Sequence, residues 1–257
     1  MPIDNAFGSG IFYKLDLRSY FRLMANGKNL AELLRQNASS FAKVVPFDAS
    51  KDKLLLFSFA EENKELTEEM VADTAQFILY INSKLQNSNS RLGIGGYNEH
   101  RTIYSRSKLF DTENEEPRRL HLGIDIWGKP NTAVAAPMDA VVHSFAFNSA
   151  FGDYGATIIL SHQLNGVSFY TLYGHLSLAS IKNLHEGRRI KKGDVFAEFG
   201  IPQENGNWPP HLHFQVIQNM DGYKGDYPGV CKFSEKSSYL SNCPDPDLIL
   251  GMMQYAV

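Results

Sequence analysis

Imidazole is both a metal ligand and a proton acceptor near neutral pH, and the 257-residue sequence holds eight: His100, His121, His143, His162, His175, His185, His211 and His213. All but His100 lie beyond residue 120. Two short patterns among them could do chemistry. His121-Leu-Gly-Ile-Asp125 is an H-x-x-x-D spacing that would share one face of a helix. Gly123, Ile124, Ile126 and Trp127 favour a strand instead, and a straight strand would hold His121 and Asp125 roughly 13 Å apart, too far to share an ion. Joint use of the two side chains therefore requires a bend, which Gly123 permits. His211-Leu-His213, by contrast, sends both imidazoles to one face of a strand, about 7 Å apart at the backbone. Such a pair supplies two ligands, or one ligand and one neighbour, and spacing does not decide between these. Pro209 and Pro210 lack ladder N–H groups, so the strand is expected to start at His211 and to set the pair at its mouth.

A third element, Tyr173-Gly174-His175-Leu176, reads either as a capped strand end or as a close backbone approach beside another imidazole. Pooled, these patterns offer the donors of a catalytic zinc site, in which three protein ligands leave one position to a water whose pKa falls to about 7. Spare imidazoles can take a proton from that water and stabilise the oxyanion formed on attack. His100, His143, His162 and His185 read as structural or solvated.

The elements that must position these residues change character near residue 100. Of 20 Gly and 11 Pro, only 6 and 2 fall in residues 1–100, which points to a helical front and a turn-rich β back. Leu66, Met70, Phe77, Ile78, Ile81 and Leu85 recur near helical period after a possible N-cap at Thr67, predicting a helix over 68–85. A shorter helix is expected over about Leu30 to Val44, with Lys53 to Phe59 a buried strand between them. Gln86 to Gly96 is polar and then glycine-rich, the best linker candidate. Beyond Leu120, short strands separated by turns such as Asn165-Gly166 predict an antiparallel β-domain. The fold class is therefore α+β: a mainly antiparallel β C-terminal domain with a sheet groove (97–257), preceded by a helix-rich N-terminal region (1–96).

In order, H-L-G-I-D, Y-G-H-L-S and H-L-H-F resemble the lysostaphin-type, or LytM-like, zinc metallopeptidases, over about Leu120 to Val216. The resemblance implies that His121, Asp125 and His213 bind Zn2+ and leaves His175 and His211 as the catalytic histidines. It also implies an antiparallel sheet groove, the duplicated hybrid motif, and endopeptidase cleavage of peptide bonds, mostly in peptidoglycan stems or cross-bridges of the cell wall. Two departures flank the site: Trp208-Pro209-Pro210 stands where the family has Gly-Pro, and Gln215 where an acidic residue is common. Both bear on substrate fit more than on metal binding. Some relatives are kept latent by an upstream Asn in the metal's open position, a role Asn98 could fill, against an ordinary turn over Gly96 to Arg101. His162 fits packing or a second contact shell.

Charge narrows the partners. Lys+Arg 25 against Asp+Glu 28 leaves −3, so no positive field draws the chain to nucleic acid or anionic lipid. No apolar run approaches the roughly 20 residues of a membrane span. Lys14, Asp16, Arg18 and Arg22 interrupt Met1 to Leu30 before an export signal can form, so the sequence reads as cytoplasmic, or as periplasmic or extracellular if a leader has been removed. Cys231 and Cys243 fit one disulfide or two free thiols. No oligomeric state follows from the sequence. The alternatives are a degenerate, non-catalytic binding or regulatory module of the same fold, a carrier module built on the glycine-turned hairpin EGRRIKKGDVFAEFG, and a cytoplasmic zinc amidase.

Overall fold

Each short apolar run becomes a strand. A computed structural model describes residues 29–111 and 113–257; apart from Asn29 and Leu30, the stretch read for an export signal lies outside them. The strands are β1 (Leu54–Phe57), β2 (Leu92–Gly95), β3 (Leu120–His121), β4 (Ile124–Trp127), β5 (Ala133–Ala135), β6 (Ala140–Asn148), β7 (Gly155–Leu164), β8 (Val167–Leu176), β9 (Arg189–Ile190), β10 (Val195–Glu198), β11 (His211–Ile217) and β12 (Val230–Cys231). Among the described residues, eight of them form one sheet in the order β1-β2-β4-β11-β8-β7-β6-β9. Only β1 and β2 pair in parallel. The fold is α+β with a large antiparallel sheet, as the turn-rich C-terminal half predicts. Asn165 (φ 50°) and Gly166 (φ 85°) make the left-handed turn between β7 and β8, which matches strand twist.

The front of the chain departs from expectation in three places. The helix predicted over 68–85 is two helices, Glu68–Ala72 and Thr74–Asn87. Asp73 breaks it, leaving helical dihedrals (ψ 109°) so that its carboxylate accepts from Ala75 N at 2.8 Å and Gln76 N at 3.2 Å, a local cap that outcompetes one continuous helix. The first helix stops at Gln36 rather than near Val44, passing into a 3-10 turn over Ala38–Ser40. The linker expected over Gln86 to Gly96 is largely structured: helix runs to Asn87, and Leu92–Gly95 is the fully buried strand β2. Four residues with two glycines fall below any readable period, yet β2 pairs with β1 on one side and β4 on the other. The sheet thus continues across residue 96.

The helix Thr74–Asn87 lays Phe77, Ile81 and Leu85 onto an aromatic cluster beneath the sheet. Phe59 and Phe77 meet edge to face at 6.0 Å, and Phe59 lies 5.3 Å from Trp127, geometries that aromatic pairs favour. Trp127, fully buried, is thereby fixed as the floor on which His211 rests. The EGRRIKKGDVFAEFG segment is not a free hairpin, because β9 pairs with β6 and β10 with β5. Cys231 and Cys243 are buried free thiols. No helix among the described residues is long and apolar enough to cross a membrane.

Candidate metal centre

Strand register assembles the site. Gly95 faces Asp125, Asp125 faces His213, and His213 faces Gly174, a single row crossing β2, β4, β11 and β8. Strand β11 starts at His211, as Pro209-Pro210 predicts, with His211 opposite Trp127. The bend required between His121 and Asp125 exists: Leu122-Gly123 interrupts β3 and β4, and β3 leaves the large sheet to pair with β12. At the bend the His213 ring sits where a side chain would be, since a Cβ on Gly123 would lie 2.5 Å from His213 Cε1. Gly174 likewise admits the Tyr154 ring, 2.5 Å from where its Cβ would stand.

His121, Asp125 and His213 come together and are all buried. His121 Nε2 is 2.9 Å from His213 Nδ1 and 3.3 Å from Asp125 Oδ1, and His213 Nδ1 is 3.1 Å from Asp125 Oδ1. Neighbours settle where the protons are. His121 Nδ1 donates to the Gly96 carbonyl at 3.0 Å. Gln215 gives its amide hydrogens to Pro228 O and Cys243 Sγ, so its Oε1 faces His213 Nε2 at 3.0 Å and accepts the proton there. The second oxygen of Asp125 takes the Arg101 Nη1–H. Three lone pairs, two imidazole and one carboxylate, thus converge with every proton committed outward. This is the donor chemistry and outer hydrogen bonding of a zinc-type site, and the residues fit that ion.

Electrostatics agree. Burial, helped by the Arg101 charge, pushes His121 down to about 4, leaving a neutral imidazole at pH 7. Burial opposes ionisation of Asp125, but the Arg101 guanidinium beside it holds the carboxyl well below its usual range.

His175 and His211 lie next to this centre with ring centroids 4.1 Å apart. His211 stacks on Trp127 at 4.0 Å and donates Nδ1–H to Pro209 O at 2.7 Å. His175 donates Nδ1–H to Asn205 O at 2.8 Å. Each therefore keeps Nε2 as a free acceptor. Burial pushes His211 down to about 4; burial, with His211 and His213 alongside, holds His175 well below its ordinary value. His175 has φ +63°, a conformation that costs a non-glycine residue free energy and that clusters at functional sites.

All five expected residues occupy one neighbourhood, and Asp125, His175, His211 and His213 line a cavity of about 250 Å³. Asn98 is elsewhere: it is exposed, at φ 59°, with its N–H on His121 O. The turn reading holds for it. His162 is packed, not part of the centre, with Nε2 2.7 Å from Thr171 Oγ1 and its ring stacked on Phe169. Sequence reasoning missed Arg101 and Tyr154. Tyr154 lines the cavity and donates its hydroxyl to Tyr227 O at 3.2 Å; the glycine-flanked run Gly152-Asp-Tyr-Gly155 was its available signal. Arg101 had none, because its partner lies 24 positions away.

Residues 119–224 match the description of peptidase family M23, the stretch that carries all five residues. That segment is similar to peptidase family M23. No curated protein matches at a significant level. Among solved structures, a zinc-containing peptidase from Vibrio cholerae shares 27% identity over 38% of this chain and 27% of its own, with a TM-score of 0.31. The catalytic domain of lysostaphin from Staphylococcus simulans shares 20% over 47% and 80%, with 0.33. The catalytic domain of the prophage-encoded M23 protein EnpA from Enterococcus faecalis shares 16% over 47% and 87%, with 0.33. This chain spans about a quarter of the length of the Vibrio cholerae protein.

Proposed function

We propose that the protein is a zinc-dependent metalloendopeptidase, with His121, Asp125 and His213 holding Zn2+ and with peptide bonds of peptidoglycan stems or cross-bridges as substrate. The observation that carries this reading is the convergence of two imidazole nitrogens and one carboxylate oxygen within 3.3 Å of one another, inside the segment that matches peptidase family M23. A zinc ion bound there would acidify a water molecule and polarise the scissile carbonyl. The other work falls to the chain. His211 and His175, neutral and with Nε2 unprotonated, are placed to accept a proton from water and return it to the departing amine. Once protonated, either imidazole stabilises the negative charge on the former carbonyl oxygen. Trp127 and the carbonyls of Pro209 and Asn205 fix the two rings for that task.

A second reading, hydrolysis of a small amide, is favoured by one observation: the cavity is about 250 Å³, walled by Leu109, Phe110, Tyr223 and Tyr227, below the usual range of pockets for drug-sized molecules. Incubation of the zinc-loaded protein with peptidoglycan fragments and with dipeptide amides, followed by mass spectrometry, separates the two. New amino termini in the fragments support the endopeptidase. Turnover of dipeptides alone supports the small-amide reading, and no hydrolysis of either class contradicts both.

A further inference from the structure

Arg101 is the one arginine in the described residues whose side chain is 0% exposed, a position that a guanidinium tolerates only when its donors are matched. Its Nη1 donates to Asp125 Oδ2, and its Nε to Glu99 Oε2 at 2.7 Å. Tyr104 Oη lies 3.4 Å from Nη1, and the Phe59 ring centroid is 5.2 Å from the guanidinium carbon. Glu99 is held in turn, accepting from Ser58 Oγ at 2.8 Å and Phe59 N at 3.0 Å. An unbroken chain of contacts therefore runs from the end of β1 through Glu99 and Arg101 to Asp125. It leaves Asp125 Oδ1 alone to face His121 Nε2 and His213 Nδ1.

Resting on the zinc reading above, we propose that Arg101 is a positioning residue that restricts Asp125 to ligation through one oxygen, with Glu99 and the end of β1 as its mount. The metal centre then extends beyond the segment that matches the family, which begins at residue 119. The front of the chain, whose role the sequence leaves open, becomes part of the centre's outer shell, and the Gly96 carbonyl that orients His121 belongs to the same stretch. Arginine suits the task because its rigid fork spans two carboxylates, whereas lysine offers only a point charge.

The test compares full-length wild type with Arg101→Lys and Glu99→Gln. Zinc affinity is measured by competition with a chromophoric chelator, Co2+ is used as a spectroscopic probe, and the metal-free melting temperature is recorded alongside. Arg101→Lys should weaken zinc binding by about 10- to 100-fold, the usual effect of removing an outer partner of a ligand. Its Co2+ complex should lose visible d–d intensity as the freed carboxylate binds through both oxygens. Glu99→Gln keeps the Ser58 contact and should fall between wild type and Arg101→Lys; it decides the matter if the lysine variant does not fold. Lower melting temperatures with unchanged zinc affinity and an unchanged Co2+ spectrum would overturn the proposal and leave a purely structural ion pair. Failure of the wild type to bind zinc would instead sink the metallopeptidase reading itself.

Discussion

Gly123→Ala isolates the close approach on which the centre depends. The added methyl would stand 2.5 Å from His213 Cε1, 2.6 Å from His213 Nε2 and 2.9 Å from the Phe214 carbonyl oxygen. That carbonyl is strand backbone, with Phe214 paired to Ile124 and Tyr173, so the imidazole must yield. Its freedom is small, because Nε2 is tied to Gln215 Oε1 and the ring packs on His121 and Tyr154. Overpacking of this kind costs about 1–3 kcal/mol. With an unfolding entropy of about 2.1 cal/mol/K per residue, the chain unfolds with roughly 0.5 kcal/mol/K, so the metal-free variant should melt roughly 2–6 °C below wild type. Displacing the ring proposed as a ligand should also weaken zinc binding by at least about tenfold, as far as removing an outer partner would. Differential scanning calorimetry of the metal-free protein and a chelator competition give the two numbers. Wild-type melting together with wild-type zinc affinity would refute the close packing of Gly123 on His213.

Three further outcomes follow from the same geometry. His211→Ala should retain zinc while losing about 10²- to 10⁴-fold in kcat/KM; loss of the metal with the activity would make His211 a ligand instead. His175 sits at φ +63°, where asparagine is better tolerated than alanine, so His175→Asn should fold, keep zinc and lose turnover, checked by circular dichroism, metal content and kinetics. His162 tests acid stability away from the centre. Burial pushes it down to about 4 against about 6.5 unfolded, so the native state binds fewer protons and stability falls as pH drops from 6.5 to 4. The full effect is of order 3 kcal/mol for this one group, and urea unfolding of His162→Gln should show a correspondingly shallower slope over that window; an unchanged slope would contradict the assignment.

What the sequence made legible was set by local chemistry. His211-x-His213 and the prolines before it specify a strand mouth with two imidazoles on one face, and that is where both lie. The bend between His121 and Asp125 follows from the reach of a strand and from Gly123. The expectation stated conformational freedom, whereas the larger role of Gly123 is the room it leaves for His213. Long-range partners were illegible for a different reason. Arg101 meets Asp125 only because β2 is inserted beside β4, and β2 is a four-residue strand with two glycines that reads as linker. Asp73 looked like one polar residue inside a helical period, yet its carboxylate had two N–H groups within reach and ended the helix there. Tyr154 lies just before β7, in the glycine-flanked run Gly152-Asp-Tyr-Gly155. Its place beside His213 depends on the register between β7 and β8, which shifts between Ala156 and Ile158, and no spacing rule encodes that shift.

The central claim is that three donor atoms of His121, Asp125 and His213 form one zinc site, and metal content tests it most directly. Purified wild-type protein and His213→Ala are dialysed exhaustively, supplied with zinc, dialysed again and assayed by elemental analysis. About one zinc per chain in the wild type, lost in the variant, is the predicted result. A wild-type chain that holds no zinc after this treatment, or a variant that holds as much as wild type, would contradict the account.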